Sequence, residues 1–347
     1  MNKSIVLAAL GAVLALPLSA TAQAEDPFYK GKTVTVVTST GAGGQYDTIA
    51  RAISRHMRRH LPGNPTMIVQ NMPGGGNVLA TNFMFNIAPK DGTSIATLHN
   101  AMPLYQVLDG RGVRFDARKF GWLGSTGAEN SGVFAWHTAG VKTVDDVIKK
   151  EITLGGTGAG SGIVIFPTVM NNLLGTKFKI VIGYKSSSEI NVAMERGEIQ
   201  SRAFGLSSVF AEYKDRWVTP KKIVFLAQVG LKRDKLLPDV PTLVELAKNP
   251  RDKEIMKLIA APTALGKPYT APPGLAADRL KTLRDGFAGT LRDKTFLAEM
   301  AKLSIDIEPM TAEETIQIVN DTVNAAPEIV AEAKKVMPKK GKKKKKS

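Results

Sequence analysis

The stretch VTVVTSTGAGGQYDTIAR, Val34 to Arg51, passes from a run of Val and Thr through glycines into a helix-forming segment. β-branched residues favour a strand, and the glycines end it. Tyr46 onward carries apolar residues at helical spacing. A strand, a glycine loop and a helix start together form an anion-receiving device, because the first turn of a helix presents unpaired N–H groups and the positive end of its dipole. A nucleotide phosphate, a carboxylate or no ligand at all would each be compatible with it.

Outward from this stretch, the chain alternates strand-like and helix-like segments, the pattern of α/β units. Strands are expected over 33–37, 66–70, 93–98, 132–136, 152–155, 180–183, 201–204 and 223–229. Helices are expected over 46–60, 78–87, 144–149, 162–174, 189–196, 242–246, 276–292 and 312–322. Glycine clusters follow three of the strands: TGAGG after the first, NMPGGGN (71–77) after the second, and GGTGAGSG (155–162) mid-chain. Ligands of open α/β sheets sit beyond the carboxyl ends of the strands, so these loops converge on one cleft if two domains face each other. A chain of 347 residues is long enough for two domains.

The first 24 residues read as a secretory leader: Lys3, an apolar run from Ile5 to Leu18, and an Ala22-Gln23-Ala24 cleavage site. The mature chain then starts at Glu25 in the periplasm. No later stretch is apolar and long enough to span a bilayer. Cysteine is absent, which excludes disulfides and thiolate chemistry. Lys3 and the tail lysines, Lys339, Lys340 and Lys342 to Lys346, carry half of the net charge of +16. The tail, 339–347, reads as a disordered solvated segment. The moderately basic remainder suits a small anionic ligand, and nothing in it has the aromatic-interleaved basic pattern of a nucleic-acid binder.

Nucleotide fingerprints fail on spacing. G-x-G-x-x-G begun at Gly41, Gly74 or Gly156 meets Tyr46, Leu79 or Ser161 at its last glycine, and Gly31-Lys32-Thr33 precedes a strand instead of following one. His56 and His60 have the i, i+4 spacing of metal ligands, yet Arg55, Arg58 and Arg59 surround them, so they read as a solvated basic helix face. Ser161 in GAGSG is out of register for a nucleophile elbow. Asp145 and Asp146 read as helix-start carboxylates. Neither a catalytic constellation, a metal site nor a cofactor is expected.

Five segments, TSTGAGGQYDTIARAISRHM (38–57), MIVQNMPGGGNVLATNFMFNIAPKDGTSIATL (67–98), VKTVDDVIKKEITLGGTGAGSG (141–162), LLPDVPTLVEL (236–246) and APPGLAADRLKTLRDGFAGTLRD (271–293), resemble the substrate-binding receptors of tripartite tricarboxylate transporters, the Bug receptors. The resemblance follows the family's order and spacing over nearly the whole mature chain. It is most specific at G-G-x-x-D-x-x-A-R (43–51) and N-x-P-G-x-G (71–76).

The resemblance implies a two-domain α/β periplasmic binding protein, a "Venus flytrap" of mixed sheets flanked by helices with hinge strands between lobes. It would be a monomer that delivers a small carboxylate to integral-membrane permease subunits. Lobe 1 would comprise 25–125 and 226–338, lobe 2 126–225, with crossings near Trp122 to Thr126 and Phe225 to Gln228. The implied ligand residues are Ser39, Thr40, Gly43, Gly44, Gln45, Tyr46 and Asp47 of the first loop and Gly74, Gly75, Gly76 and Asn77 of the second. Asn100, Gly158, Ala159, Gly160, Ser161, Tyr184 and Phe204 complete the set. Asp47 has a second reading as a helix-start charge. The chain departs from the family pattern at GYKSSSE (183–189) and GEIQSRAFGLSS (197–208), which bear on the distal part of the ligand. Arg202 meets a second carboxylate if it points into the cleft. The alternative reading is an exported enzyme acting on a small anion in the same cleft.

Overall fold

The computed structural model describes residues 28–157, 161–184 and 186–338; the expected leader, Gly158, Ala159 and Gly160, and the lysine tail lie outside the described residues. The strands are β1 (Thr33–Thr38), β2 (Thr66–Asn71), β3 (Ser94–Thr97), β4 (Gly121–Ser125), β5 (Ser131–Trp136), β6 (Ile152–Gly156), β7 (Phe178–Ile182), β8 (Ser201–Gly205), β9 (Ile223–Val229) and β10 (Pro268–Ala271). They form two five-stranded mixed sheets, ordered β2-β1-β3-β10-β4 and β7-β6-β8-β5-β9. In the first sheet β1, β2 and β3 run parallel and β10 lies antiparallel to both β3 and β4. In the second β6, β7 and β8 run parallel and β5 lies antiparallel to β8 and β9.

The helices are α1 (Gln45–Met57), α2 (Val78–Asn86), α3 (Met102–Leu108), α4 (Val144–Lys149), α5 (Gly162–Leu174), α6 (Ser187–Glu195), α7 (Leu206–Glu212), α8 (Pro250–Leu265), α9 (Ala277–Arg292), α10 (Lys294–Lys302), α11 (Ala312–Val323) and α12 (Pro327–Val336). The central strands of both sheets are largely buried, whereas the edge strands β2 and β7 leave Ile68, Val181 and Ile182 exposed. Alternation decides the faces: Val36 joins the cluster with Ile49, Ile53 and Met57 of α1, while Val37 joins the one holding Met84, Trp122 and Val319. In β5, Val133 and Ala135 face the cluster of Met170, Met256 and Ile259, and Phe134 and Trp136 face Ile190 and Trp217. The sequence division at 225/226 falls inside β9, and α8 and α12 contribute Ile255, Met256, Ile259 and Ala333 to the core of the second sheet.

Two short segments, 126–130 and 266–267, cross between the sheets in close contact. Glu129 N–H donates to Thr263 O (2.8 Å), and Thr126 N–H to Lys267 O (3.4 Å). Gly266 has φ +53°, and any Cβ there would collide with the Gly127 carbonyl. Only glycine lets these backbones pass.

The segment 242–246, expected as a helix, is a turn. Leu243 N–H bonds Gln228 O (2.6 Å) and Gln228 N–H bonds Pro241 O (2.8 Å), so pairing to β9 takes the backbone a helix would need. The expected basic face of α1 is likewise not left to water. His56 Nε2 lies 2.7 Å from Glu299 Oε2 and His60 Nε2 3.0 Å from Asp293 Oδ2, with Arg59 2.9 Å from the same Asp293 oxygen. Acids of α10 and its cap neutralise this face and clasp α1 to the C-terminal region.

Candidate functional site

Register brings the first three loops to one edge. Thr38 pairs with Asn71 and with Thr97, so residues 39–47, 72–77 and 98–101 all leave the same end of the parallel strands. On the second sheet Gly156 pairs with Ile182, and the loops after β6, β7 and β8 leave together. The two edges face each other: the Ser207 hydroxyl, at the start of α7, lies 3.1 Å from Gln45 Oε1 at the start of α1.

The first loop is held from behind. Asp47 is buried and accepts from Gly43 N–H (2.9 Å), Asn71 Nδ2 (2.9 Å) and Arg51 Nε (3.0 Å). Asn71 Nδ2 also donates to Thr40 O (3.1 Å). Burial works against the charge of Asp47, but these bonds and the Arg51 cation hold its carboxyl below the ordinary range. Asp47 therefore braces the loop that curls around it. Ser39 is buried and its hydroxyl accepts from His99 N–H (3.0 Å), while the Thr40 and Thr38 hydroxyls pair at 3.1 Å. Gly43 and Gly44 stay exposed, as do Gly74, Gly75 and Gly76.

Residues 74–77 all have positive φ, ending in left-handed Asn77 at 74°. No side chain caps α1 or α2, whereas α4 and α11 carry complete capping boxes from Thr143 and Thr311. The start of α1 thus keeps donors that no side chain satisfies, whereas the tight turn before α2 spends the N–H groups of Asn77, Val78 and Leu79 on the Gly74 and Gly75 carbonyls.

Tyr46 forms the wall between the loops. Its hydroxyl donates to Gly266 O (3.2 Å) and accepts from Asn100 N–H (3.2 Å), and its ring stacks on His99 at 5.5 Å. Ser161 precedes α5, its hydroxyl accepting from Thr157 at 3.2 Å, and Tyr184 and Phe204 are half-buried beyond it in the second lobe's cluster.

Sequence reasoning missed the polar group beneath this wall. Glu129 bonds both Lys267 Nζ and the Ser207 hydroxyl. Lys267 is 5% exposed and lies 5.6 Å from the Tyr46 ring centre. Burial pushes the Glu129 carboxyl up, and Lys267, then Ser207, overcome this and hold it below the ordinary range. The readable signal was a single acid within the glycine- and Ser/Thr-rich run GSTGAENSG and a single base within TALGKPYTA. Among the described residues, no group of three or more His, Cys, Asp or Glu could hold a metal ion, and no helix is long and apolar enough to cross a membrane.

Burial pulls the His99 imidazole down to about 4. Its folded pKa lies below the unfolded value of about 6.5, so the unfolded chain takes up a proton that the folded ring refuses. His99 therefore costs nothing above the unfolded pKa and erodes stability as pH falls towards 4, by about 2 kcal/mol between about pH 7 and pH 5. Urea unfolding of His99→Phe should show a flatter dependence across this window than the wild type. An unchanged slope would mean that the ring is open to protons.

Residues 49–334 match the family described as tripartite tricarboxylate transporter family receptor, TctC. A Cupriavidus necator protein, "UPF0065 protein in gbd 5'region", is 26% identical over 336 residues, 93% of this chain and 92% of its own. The periplasmic binding protein BugD superposes with a TM-score of 0.66 at 22% identity, over 89% of this chain and 98% of BugD. The R. palustris protein Rpa4515, solved with adipate, gives a TM-score of 0.65 at 18% identity, over 88% and 98% of the two chains. At these identities the solved structures share the fold.

Proposed function

The chain belongs to the tripartite tricarboxylate transporter receptor family, and from that premise we propose that it captures a small carboxylate in the cleft between its two sheets. It is an extracytoplasmic solute-binding receptor of a membrane transporter. Carboxylate capture is carried by one observation: the exposed glycine loops at 43–44 and 74–76, with the uncapped start of α1, share an edge that Gln45 brings against Ser207 of the opposite sheet. Backbone N–H groups and helix dipoles at such an edge suit a carboxylate. The adipate of Rpa4515 agrees with that ligand class. Lobe 1 is built on the first sheet and lobe 2 on the second, and the leader is removed before Glu25 so that the receptor works in the periplasm. Delivery without chemical change is the reading adopted, since the histidine at the wall is held neutral and the buried acid is committed to Lys267.

The test is calorimetric titration with succinate, adipate, butyrate and hexanoate. At about 100 times the dissociation constant a true ligand stabilises the protein by about 2.7 kcal/mol. Gly43 has φ +83°, a conformation valine resists. Gly43→Val should weaken binding at least about tenfold, while His60→Gln, in the clasp to Asp293, leaves it unchanged. Failure of every carboxylate to bind the wild type overturns the reading.

A further inference from the structure

Arg202 lies in β8 and is completely buried. Its side chain leans towards the carboxyl end of the strand. The guanidinium carbon stands 4.0 Å over the Phe204 ring, and Nη1 donates to Ser187 O at 3.1 Å, at the first turn of α6. Nε contacts Ala203 O at 3.4 Å, and Nη2 is buried without any hydrogen-bond partner. Among the described residues no carboxylate lies within ion-pair distance of it.

A guanidinium offers five donors and cannot shed its charge near neutral pH. Buried without a counter-ion it costs several kcal/mol, which native structures offset with an anion. Backbone carbonyls satisfy part of the fork here and carry no net charge. Burial alone pulls the group down to about 9, and Glu212 on α7 acts on it only at a distance. The start of α6 adds a helix dipole of the same sign. Phe204 at the end of β8 and Tyr184 beyond β7 are half-buried in one cluster, at the edge where the loops of the proposed cleft leave the second sheet.

We infer that Arg202 is the receptor for a second anionic group, so that the solute is a dicarboxylate held at one end by the glycine loops of the first lobe and at the other by this guanidinium. The inference rests on the carboxylate-receptor reading and narrows it to a substrate class. It gives the aromatic pair Phe204 and Tyr184 the role of lining the apolar span between the two carboxylates. It also makes closure charge-dependent, because the second carboxylate completes the fork only when both lobes are engaged.

Titration of Arg202→Met with the same four acids tests this. Succinate or adipate should lose at least about 30-fold in affinity, and butyrate and hexanoate should change by less than about threefold. Methionine replaces an uncompensated buried charge with an apolar side chain of similar length, so thermal stability should hold or rise. If Arg202→Met does not fold, the wild type supplies the readout: monomethyl adipate, with one carboxylate masked, should bind at least about 30-fold more weakly than adipate. Equal binding of adipate and its half-ester, or equal losses for mono- and dicarboxylates in the variant, overturns the inference while leaving the receptor reading standing. Absence of binding by all four acids to the wild type overturns both.

Discussion

Lys267→Met should lower the free energy of unfolding by about 3–5 kcal/mol, measured by urea denaturation near neutral pH. Lys267 is 5% exposed and pairs with Glu129. Removing the ammonium leaves a carboxylate supported by one hydroxyl, that of Ser207. A hydroxyl does not offset the desolvation of a full charge. In the variant the folded pKa of Glu129 would rise above its unfolded value. Protonation then relieves the defect, so the deficit should shrink as pH falls into the carboxylate range and be complete above it. Adding Glu129→Leu should recover most of the loss, since an apolar pair of similar volume commonly equals a buried ion pair. A single-variant deficit below about 1 kcal/mol would show that water reaches the carboxylate.

Asp47→Ala should cost about 2–4 kcal/mol and at least about tenfold in carboxylate affinity, because one side chain serves both ends. Gly43 N–H and Asn71 Nδ2 would lose a charged acceptor, and the latter would keep only Thr40 O. The loop whose glycines face the cleft would then be free to leave the geometry that a carboxylate needs. Asp47→Asn keeps the shape and one acceptor, and should fall between wild type and alanine. An alanine variant destabilised by the predicted amount but with unchanged affinity would separate the brace from the site and place the ligand elsewhere.

Local signals were legible in the sequence where they coincide with the final structure. Val34 and Val36, followed by glycines and then Ile49, Ile53 and Met57 at helical spacing, give β1, the first loop and α1 directly. β10 was not legible: PYTA is short and starts with proline, and it becomes a strand only because β3 and β4 pair with it. α8 was hidden by Pro262, which removes one N–H near the end of an otherwise continuous helix. The short α3 and α7 lack side-chain caps and so carry no start signal. The site divides in the same way. Gln45, Tyr46 and the glycines announce themselves within one stretch, whereas Glu129, Ser207 and Lys267 come from three segments and meet only by folding. Alternation placed Arg202 on one face of β8, but its burial beneath Phe204 depended on α6 arriving above it.

The placement of β10 also orders events in time. Every strand of the second sheet comes from the continuous stretch 131–229, so its strands can pair as soon as this stretch is available, before α8 and α12 arrive to cover them. The first sheet cannot: β4 reaches β3 only through β10, which follows the whole second sheet in the chain. Closing so large a loop is entropically expensive and slow, and it precedes any reward from the contacts it makes. A chain emerging from amino to carboxyl end therefore holds the strands of the second sheet, still without their α8 and α12 cover, beside a first sheet that β4 cannot join until residue 271 has appeared. Until then β3 and β4 each present an unpaired edge, where wrong pairing starts.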